Sequence, residues 1–409
     1  MSEKRVTGDG RVSGSSLADL RAELREWLAA HTSPALQGLS EFEVEDTLWG
    51  QPSAPGYAEY AAFEEASRQA RLICPQWPEE YGGRGFGAME TAVLAEEFAA
   101  VRMPRLTRGM GERLAGPAIL AHGTREQKER FLPRILSGED RYCQGFSEPG
   151  AGSDLAAVQT AGVVEGDELV VSGQKIWTSG AHRANVMFLL CRTDPAAPKH
   201  RGISYVLLPM RDNGITVGRL VTMAGEDEFC QEFIDGARAP LSNVIGGLNN
   251  GWRSAMTTLG SERGAVAAVA HLTYEREWSD LVDRVRERGL DGDRLVRQKL
   301  AWAYCQIHVM KATGRRVLDQ IARGAELGPE ASLTKIVWSE YHRRLGEIAM
   351  DVEGAAGLVR PEGDGYPLTR WQRTFLRGRA ETIYAGTSEV QRRIVAQRVL
   401  GLPKDGARG

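Results

Sequence analysis

Hydrophobic residues in the first third of the chain recur with the spacing of an α-helix. Within residues 16–31, leucine and tryptophan side chains fall at i, i+3, i+7, i+10 and i+11, which places them along one face. The same spacing predicts three further helices, over 56–71, 89–101 and 124–137. Residues 1–15 are rich in Gly and Ser and are expected to form a flexible tail. The first third is therefore predicted to be mostly helical.

The pattern changes near Gly138 to short β-branched and aliphatic runs bounded by Gly, Asp, Asn and Pro. These runs predict strands over 169–171, 186–191, 203–208 and 215–217. Residues 168–177 are interpreted as two strands that meet at a turn. The middle of the chain is therefore predicted to be an antiparallel β domain.

Helical spacing returns at Gly251 and continues almost to the end of the chain. It predicts helices over 251–288, 293–323, 330–355 and 387–399, separated by Gly-rich breaks. A helical, a β and a second helical part in this order favour an α+β protein. After the tail at 1–15, the predicted domains are an N-terminal helical domain over 16–138, a β domain over 139–247 and a C-terminal helical domain over 248–409.

Composition and charge exclude several classes of function. The 51 Lys and Arg against 54 Asp and Glu give a net charge of −3, whereas nucleic-acid-binding proteins usually carry a basic excess. The longest apolar stretches, such as 186–191, are too short to span a bilayer. The start of the chain lacks the apolar core of a signal peptide, so the cytoplasm is the expected location. The five scattered cysteines are interpreted as reduced thiols, and no metal site is predicted.

Three segments rich in small residues are candidates for a binding site. In 146–154, small residues allow the backbone to approach a planar or phosphate-bearing ligand, although a tight turn has the same composition. In 173–181, Trp177 beside two hydroxyls can stack on a ring and bond its edge; a core tryptophan is the alternative. In 381–393, Ser or Thr followed three residues later by Glu or Gln predicts a helix start, which alone indicates only a capped helix.

Together these segments resemble the acyl-CoA dehydrogenase family. The resemblance extends over nearly the whole chain and is carried by six blocks in the same order, at 123–133, 147–154, 175–177, 243–252, 383–389 and 399–403. It implies an N-terminal helical domain, a middle β-barrel-like domain and a C-terminal four-helix bundle. It also implies bound FAD and α,β-desaturation of an acyl thioester.

The resemblance assigns individual roles to residues that match the family's motifs. Phe146 and Ser147 are expected beside the pyrimidine part of the flavin, and Trp177 and Ser179 along its face and near N5. Gly152 and Ser153 are expected near the thioester. Gly354, Thr387 and Glu389 are expected at the flavin dinucleotide. Gly354 lies in 351–357, a loosened form of the family's Gln-x-Leu-Gly-Gly-x-Gly segment.

The catalytic base is the first departure from the common family pattern. Many relatives carry it as Glu in Tyr-Glu-Gly-Thr, where this chain has Ala385. A subset that includes isovaleryl- and long-chain-type enzymes places it at the start of the first C-terminal helix, before an Arg, which matches Glu262 and Arg263. The resemblance then implies that Glu262 removes the α-proton, that flavin N5 accepts the β-hydride, and that the Ala385 N–H donates to the thioester carbonyl. The resemblance also implies that Arg263 holds the helix start in place. A surface glutamate paired with an arginine is the structural alternative for Glu262.

The second departure concerns assembly. Many relatives use an Arg-x-x-Phe-Gly motif to reach the FAD of a neighbouring subunit, but 284–297 contains no such motif, and Arg288 is a candidate substitute. A homotetramer, a homodimer and a hetero-oligomer with a paralogue are all left open. The expected electron acceptor is an electron-transfer flavoprotein. The alternative functions are the same oxidation on a carrier-protein-bound acyl group, a flavin oxidase or monooxygenase, and a non-catalytic partner subunit.

Overall fold

The structure, a computed structural model, describes residues 16–261, 269–323, 328, 331–363 and 367–403. These residues divide into two compact units. One comprises 16–107 with 318–323, and the other 108–317 with the described residues from 328 onward. No helix of the described residues has both the length and the apolar character needed to cross a membrane.

The first unit is helical, as the spacing predicts. Its helices in the N-terminal region are α1 (Leu17–His31), α2 (Glu41–Thr47), α3 (Tyr57–Gln69) and α4 (Ala88–Ala100). Ser16 and Ser40 each form a capping box at the start of α1 and α2, which satisfies N–H groups that the helix itself leaves free. Helix α2 lies between the helices predicted over 16–31 and 56–71, where the spacing predicts no helix, because two turns are too short to display a helical period.

The second unit contains the remaining helices and the sheet. Its helices are α5 (Gly116–His122), α6 (Arg125–Ser137), α7 (Gly251–Ser261), α8 (His271–Glu287), α9 (Arg294–Ala322), α10 (Ala331–Glu353), α11 (Arg370–Glu381) and α12 (Ser388–Ile394). The last residues of α9, from Leu318, belong to the first unit. A π-helical turn, Gly111–Ala115, precedes α5, and a second one, Val395–Val399, follows α12.

The C-terminal helices differ from the prediction in two places. The helix expected over 251–288 is two described helices, α7 and α8, with a turn at residues 269–270 before α8. Helix α11 is missed by sequence reasoning because its four arginines obscure the apolar period. Apolar side chains of α8, α9, α10 and α11 share one buried core. The helical C-terminal part is thus confirmed, whereas a four-helix bundle stays a prediction.

The middle of the second unit is an eight-stranded sheet. Its strands are β1 (Tyr142–Gly145), β2 (Ala161–Glu165), β3 (Glu168–Ser179), β4 (Val186–Arg192), β5 (Ile203–Pro209), β6 (Ile215–Leu220), β7 (Phe229–Pro240) and β8 (Val244–Ile245). The strand order is β6-β7-β3-β2-β4-β5-β8, and β1 pairs with β4. The α+β class with helical ends and a central sheet is therefore confirmed.

Two details of the predicted β domain are wrong. The sheet is not a closed barrel, since its hydrogen-bonded path ends at β6 and β8. It is also not purely antiparallel, because β4 pairs in parallel with β1 and with the start of β2. A parallel pair needs a long crossover, and the connection from β1 to β4 provides one that contains the β2–β3 hairpin.

The expected turn inside 168–177 is also wrong, because β3 runs without a break to Ser179. The turn instead precedes β3 and connects it to β2. Gly173 is required for close packing, not for a turn: a Cβ there would lie 2.8 Å from the Cα of Thr160. A glycine in a strand marks such a close approach as readily as a chain reversal.

Candidate active site

The segment after β1 is fixed by a buried ion pair. The Lys175 ammonium, fully buried in β3, lies 2.8 Å from Oε1 of Glu148 and also donates to the carbonyls of Phe146 and Leu190. Glu148 accepts two backbone N–H groups as well. Burial opposes the charged carboxylate, but Lys175 and these donors lower the pKa of Glu148; burial outweighs Glu148 and lowers the pKa of Lys175. The Lys175–Glu148 ion pair therefore holds residues 146–148 in a fixed position against the sheet.

Side chains and backbone of the 146–154 segment play different parts. The Phe146 ring is buried edge-on against Phe188 and Tyr205, at centroid distances of 5.7 and 6.0 Å, so it belongs to the core. Gly152 and Ser153 are exposed, and a Cβ at Gly152 would meet nothing within 4 Å. The open backbone near Gly152 leaves room for a flat or extended ligand.

Trp177 is the most unusual residue of β3. It is the extra residue of a β-bulge between Ile176 and Thr178, its φ is +64°, and its side chain is 60% exposed. The indole meets Phe229 edge-on at 5.9 Å. A bulky non-glycine residue in this backbone region is strained, and such strain clusters at functional sites. Ser179, at the end of the same strand, is half-buried.

The turn before α12 has a second strained residue. Ala385 has a φ of +52° and is followed by Gly386 with a φ of +87°. Thr387 is the N-cap of α12, as predicted, and its hydroxyl accepts the Val390 N–H at 3.1 Å. The reciprocal bond of a capping box is missing because Val390 occupies that position; Gln391 instead donates to the Ala385 carbonyl at 3.2 Å.

Glu389 and Gly354 lie apart from this turn's backbone. Glu389 is exposed on the first turn of α12, 4.0 Å from Arg392. Gly354 follows the last residue of α10, with a φ of +54°. Lys335, near the start of α10, donates to the carbonyl of Glu381, which lies beside the Ala385 turn. Gly354 follows the other end of α10, and at a rise of about 1.5 Å per residue it is about 28 Å from Lys335 along the helix axis. Gly354 is therefore not brought to the turn at Ala385 within one chain.

Arg377 connects the end of β3 with the Ala385 turn. From α11 it reaches the carboxylates of Glu226 and Glu228, at 3.1 and 3.6 Å, and its positive charge interacts with the Tyr384 hydroxyl and opposes the rise in the pKa of Tyr384 that burial causes. The Glu228 carbonyl accepts the N–H of Gly180, directly after Ser179, at 2.7 Å. The structure thus brings Trp177 and Ser179 into the neighbourhood of Tyr384 and Ala385. Sequence reasoning missed Arg377, for which the chain offers no motif signal.

A buried charged cluster lies next to the turn and consists of Lys335, His342 and Glu381, which are buried, and Glu277, which is half-buried. Nδ1 of His342 is 2.6 Å from Oε2 of Glu381, and Nε2 is 3.1 Å from Oε2 of Glu277. Lys335 donates to the carbonyl of Glu381, the last residue of α11. Burial alone would lower the pKa of His342, but the two carboxylates outweigh it and raise the pKa to about 10. His342 is thus a charged imidazolium between two carboxylates.

The predicted base and its arginine, Glu262 and Arg263, lie outside the described residues. The described part of α7 ends at Ser261, whose hydroxyl lies 3.0 Å from the Arg113 carbonyl and 2.7 Å from that of Thr258. The Thr258 hydroxyl in turn lies 3.3 Å from the Leu114 carbonyl. The end of α7 is therefore fixed against the π-helical turn at 111–115.

The residues around Trp177 could bind a flavin, as the structure of this chain alone indicates. Trp177 offers an exposed aromatic face, Ser179 supplies a hydroxyl from the same strand, and Ser147 supplies a second hydroxyl from a different segment. The Ser147 carbonyl accepts the Ile176 N–H at 3.1 Å, which sets the two segments side by side. Glycines at 150 and 152 leave the adjacent backbone open. A planar ring with polar edges suits this set of contacts.

Comparison with known proteins identifies the family. Family models match the chain as the N-terminal domain (residues 17–139), the middle domain (143–234) and the C-terminal domain (249–400) of acyl-CoA dehydrogenases. The chain belongs to the acyl-CoA dehydrogenase family. It therefore carries out FAD-dependent dehydrogenation of an acyl-CoA, which confirms the expected activity and cofactor.

Individual relatives refine this assignment. The chain is 39% identical over 393 residues to the acyl-CoA dehydrogenase IpdE1 of Mycobacterium tuberculosis, covering 95% of this chain and 98% of that protein. A solved structure named the Tcur3481-Tcur3483 steroid ACAD is 32% identical with a TM-score of 0.79, covering 96% of this chain and 99% of that one. The ChsE4-ChsE5 complex from Mycobacterium tuberculosis is 30% identical with a TM-score of 0.74, covering 96% and 100%.

Proposed function

We propose that the dehydrogenation uses Glu262 as its base, so that the chain belongs to the subset whose catalytic carboxylate lies on the first C-terminal helix, before an Arg. The observation that carries this proposal is Ala385. It occupies the exposed, left-handed position of the turn, and a methyl group there accepts no proton. Removal of a weakly acidic α-proton needs an oriented base, so the carboxylate comes from elsewhere.

The fixed end of α7 supports this choice of base. Glu262 directly follows Ser261 in the sequence, and the contact of the Ser261 hydroxyl with the Arg113 carbonyl fixes the last described residue of α7. In a pocket from which an acyl chain excludes water, the pKa of a carboxyl rises and the group becomes a stronger base. Arg263 holds the segment in place and does not take part in proton transfer, since a guanidinium does not deprotonate in proteins.

The Ala385 turn contributes through its backbone. A main-chain N–H remains when the side chain is only a methyl group, and we assign the Ala385 N–H to the thioester carbonyl. A donor aimed at the oxygen where negative charge develops stabilises the transition state. The hydrogen bond from Gln391 to the Ala385 carbonyl fixes the opposite end of the same residue.

The flavin is assigned to Phe146, Ser147, Trp177 and Ser179. Phe146 contributes its backbone, since its ring lies in the core. When bound, FAD supplies the acceptor for the β-hydride. Gly152 and Ser153 line the adjacent open backbone where the thioester passes.

The separation of the residues assigned to the flavin dinucleotide supports an assembly of more than one subunit. Thr387 and Glu389 are assigned to the dinucleotide bound beside this chain's own turn. Gly354 is too distant along α10 for that role, so we assign it, with Arg288 nearby, to the dinucleotide of a neighbouring subunit. Arg288 donates to the Glu353 carbonyl at 3.1 Å, directly before Gly354. The named complex of ChsE4 with ChsE5 favours two kinds of subunit.

The substrate class follows from the relatives of known name. Because a structural relative at 32% identity is a steroid acyl-CoA dehydrogenase, we propose a bulky ring-bearing acyl-CoA as substrate. An electron-transfer flavoprotein is the proposed acceptor of the electrons. CoA is favoured over a carrier protein because the family's relatives above 30% identity are named for CoA.

The test is the rate of flavin bleaching in an anaerobic single turnover. With a ring-bearing acyl-CoA, Glu262→Gln should slow bleaching about 10²–10⁴-fold, the range for loss of a general base. FAD content should stay at the parent level, and adding Ala385→Glu should restore part of the rate. A straight-chain acyl-CoA should bleach the parent more slowly than the ring-bearing ester.

Glu287→Gln is the matched control. Glu287 is an exposed helix glutamate paired with Arg284 at 3.0 Å, which is the structural alternative for Glu262. Its variant should bleach at the parent rate. Equal rates for Glu262→Gln and the parent would show that Glu262 is structural and that the assignment of the base is wrong.

A further inference from the structure

Strand β7 carries a carboxylate where its pattern calls for an apolar residue. Cys230, Glu232 and Ile234 alternate with exposed or half-buried residues and face the core of the sheet. Glu232 is fully buried among them. Carboxylates are seldom fully buried without a partner. Such a break of the local pattern is expected where function, and not folding, selects the residue.

The Glu232 carboxyl contacts the β3 bulge directly. The Thr178 hydroxyl donates to its Oε2 at 2.6 Å. Its Oε1 has no hydrogen-bond partner among the residues that the structure describes. The other polar groups close enough to influence it are Lys175, on the pairing strand, and the thiols of Cys143 and Cys230. Burial raises the pKa of Glu232 to about 7, against the effects of Thr178 and Lys175.

Lys175 does not form an ion pair with this carboxyl. An ammonium has three N–H donors. In Lys175 they go to Glu148 at 2.8 Å, to the Leu190 carbonyl at 2.8 Å and to the Phe146 carbonyl at 3.2 Å. The one hydrogen bond that the Glu232 carboxyl receives in the described structure is therefore that of the Thr178 hydroxyl.

The bulge decides which side chains of β3 face the core. Lys175 faces inward, and in a regular strand the next inward residue would be Trp177. The extra residue shifts the pattern by one, so that Thr178 faces inward and Trp177 outward. A left-handed tryptophan is strained and persists only where the surrounding structure holds it. The Thr178–Glu232 hydrogen bond fixes the residue immediately after the strain.

We propose that Glu232 is a positioning residue for the cofactor site: by accepting the Thr178 hydroxyl inside the sheet, it holds the β3 bulge in the register that turns Trp177 outward and sets Ser179 at the strand end. The proposal rests on the assignment of Trp177 and Ser179 to the flavin. Glu232 touches neither cofactor nor substrate and acts through Thr178 alone.

The experiment measures FAD affinity, the absorption spectrum of bound flavin and the urea midpoint of the holoenzyme. Glu232→Val leaves the Thr178 hydroxyl buried without its acceptor and should raise the Kd of FAD roughly tenfold. Thr178→Val should raise it by a similar factor, and the double variant by little more than either single one, because both remove the same bond. Glu232→Gln keeps an acceptor oxygen and should restore near-parental affinity and flavin spectrum.

Ile234→Val is the matched control, since Ile234 is buried on the same face of β7, one inward position beyond Glu232. It should lower the urea midpoint without changing FAD affinity or the flavin spectrum. If Glu232→Val lowers only the midpoint, as Ile234→Val does, the positioning role is overturned. Should Glu232→Val fail to fold, Thr178→Val decides by the same criteria. A parent protein that holds no FAD would instead overturn the flavin assignment itself.

Discussion

Two non-glycine residues with left-handed backbone, Trp177 and Ala385, flank the candidate site, and the molecule supports them in different ways. Trp177 is the extra residue of a strand whose pairing resumes at once on both sides, with Ile176 opposite Gln231 and Thr178 opposite Cys230. Within the described residues, one buried side-chain hydrogen bond, from the Thr178 hydroxyl to Glu232, supports the residue directly after it. Backbone pairing therefore fixes the strand on both sides of Trp177, and the Thr178–Glu232 bond fixes the bulge itself.

The Ala385 turn is closed by a backbone hydrogen bond from the Ser388 N–H to the Thr382 carbonyl at 2.9 Å and does not lie in a strand ladder. It joins the end of α11 to the start of α12, and its position depends on what holds those two helix ends. The buried charged cluster holds the first, through Glu381, and the Thr387 cap defines the second. The comparison teaches that a sheet fixes a strained residue by its main chain, whereas a turn between helices needs buried charges to do so.

Removal of the imidazolium should break the support of the Ala385 turn. His342→Leu leaves Glu277 and Glu381 without the cation between them, and loss of one partner of a buried ion pair costs about 3–5 kcal/mol. The measurement is the urea midpoint at pH 7. His308→Leu is the control, because His308 is exposed on α9 and its replacement should change stability by less than about 0.5 kcal/mol. Equal effects of the two variants would contradict a charged His342.

The sequence predicts the parts of the molecule that repeat or follow a motif. Helical spacing identifies most of the longer helices, and the small-residue segments lead to Trp177, Ala385 and the Thr387 cap. It does not predict the bulge, because one extra residue in a strand alters pairing with a partner some fifty positions away. Its effect is visible only in the position of Thr178 against Glu232.

The buried charges were also beyond reach of the sequence. His342, Glu277 and Glu381 stand on three helices, and no spacing along the chain shows that they meet. Arg377 was missed for the same reason. Residues whose role depends on tertiary contact carry no local signal, except where a charged residue interrupts an apolar alternation, as Glu232 does.

The pH dependence of stability should distinguish Glu232, which supports Trp177, from His342, which supports the Ala385 turn. The pKa of Glu232 is raised from 4.5 to about 7, so the folded state holds its proton more tightly than the unfolded state. The contribution of Glu232 to the free energy of unfolding is fully present below pH 4.5. It is lost as the pH rises to 7, by about 3 kcal/mol in all. The pKa of His342 is raised from 6.5 to about 10, so its contribution is lost only between those values.

The measurement is the urea midpoint at intervals from pH 4.5 to 9. Glu232→Gln has no proton to release, so the part of the slope below pH 7 should disappear relative to the parent. The fall above pH 7 should remain. Glu165→Gln provides the control, since Glu165 is exposed on β2 and its replacement should leave both slopes in place. An unchanged slope below pH 7 in Glu232→Gln would show that the carboxyl titrates normally.

The smallest effect expected is relief of strain at Ala385. A left-handed conformation costs an L-residue about 1–2 kcal/mol, and glycine adopts it freely but loses more chain entropy on folding. The balance predicts that Ala385→Gly raises stability by up to about 1 kcal/mol. Ala301→Gly, on the exposed side of α9, should lower it by about 1 kcal/mol, because glycine weakens a helix interior. Opposite signs of the two midpoint shifts would confirm the left-handed turn, whereas a loss of stability in both variants would contradict it.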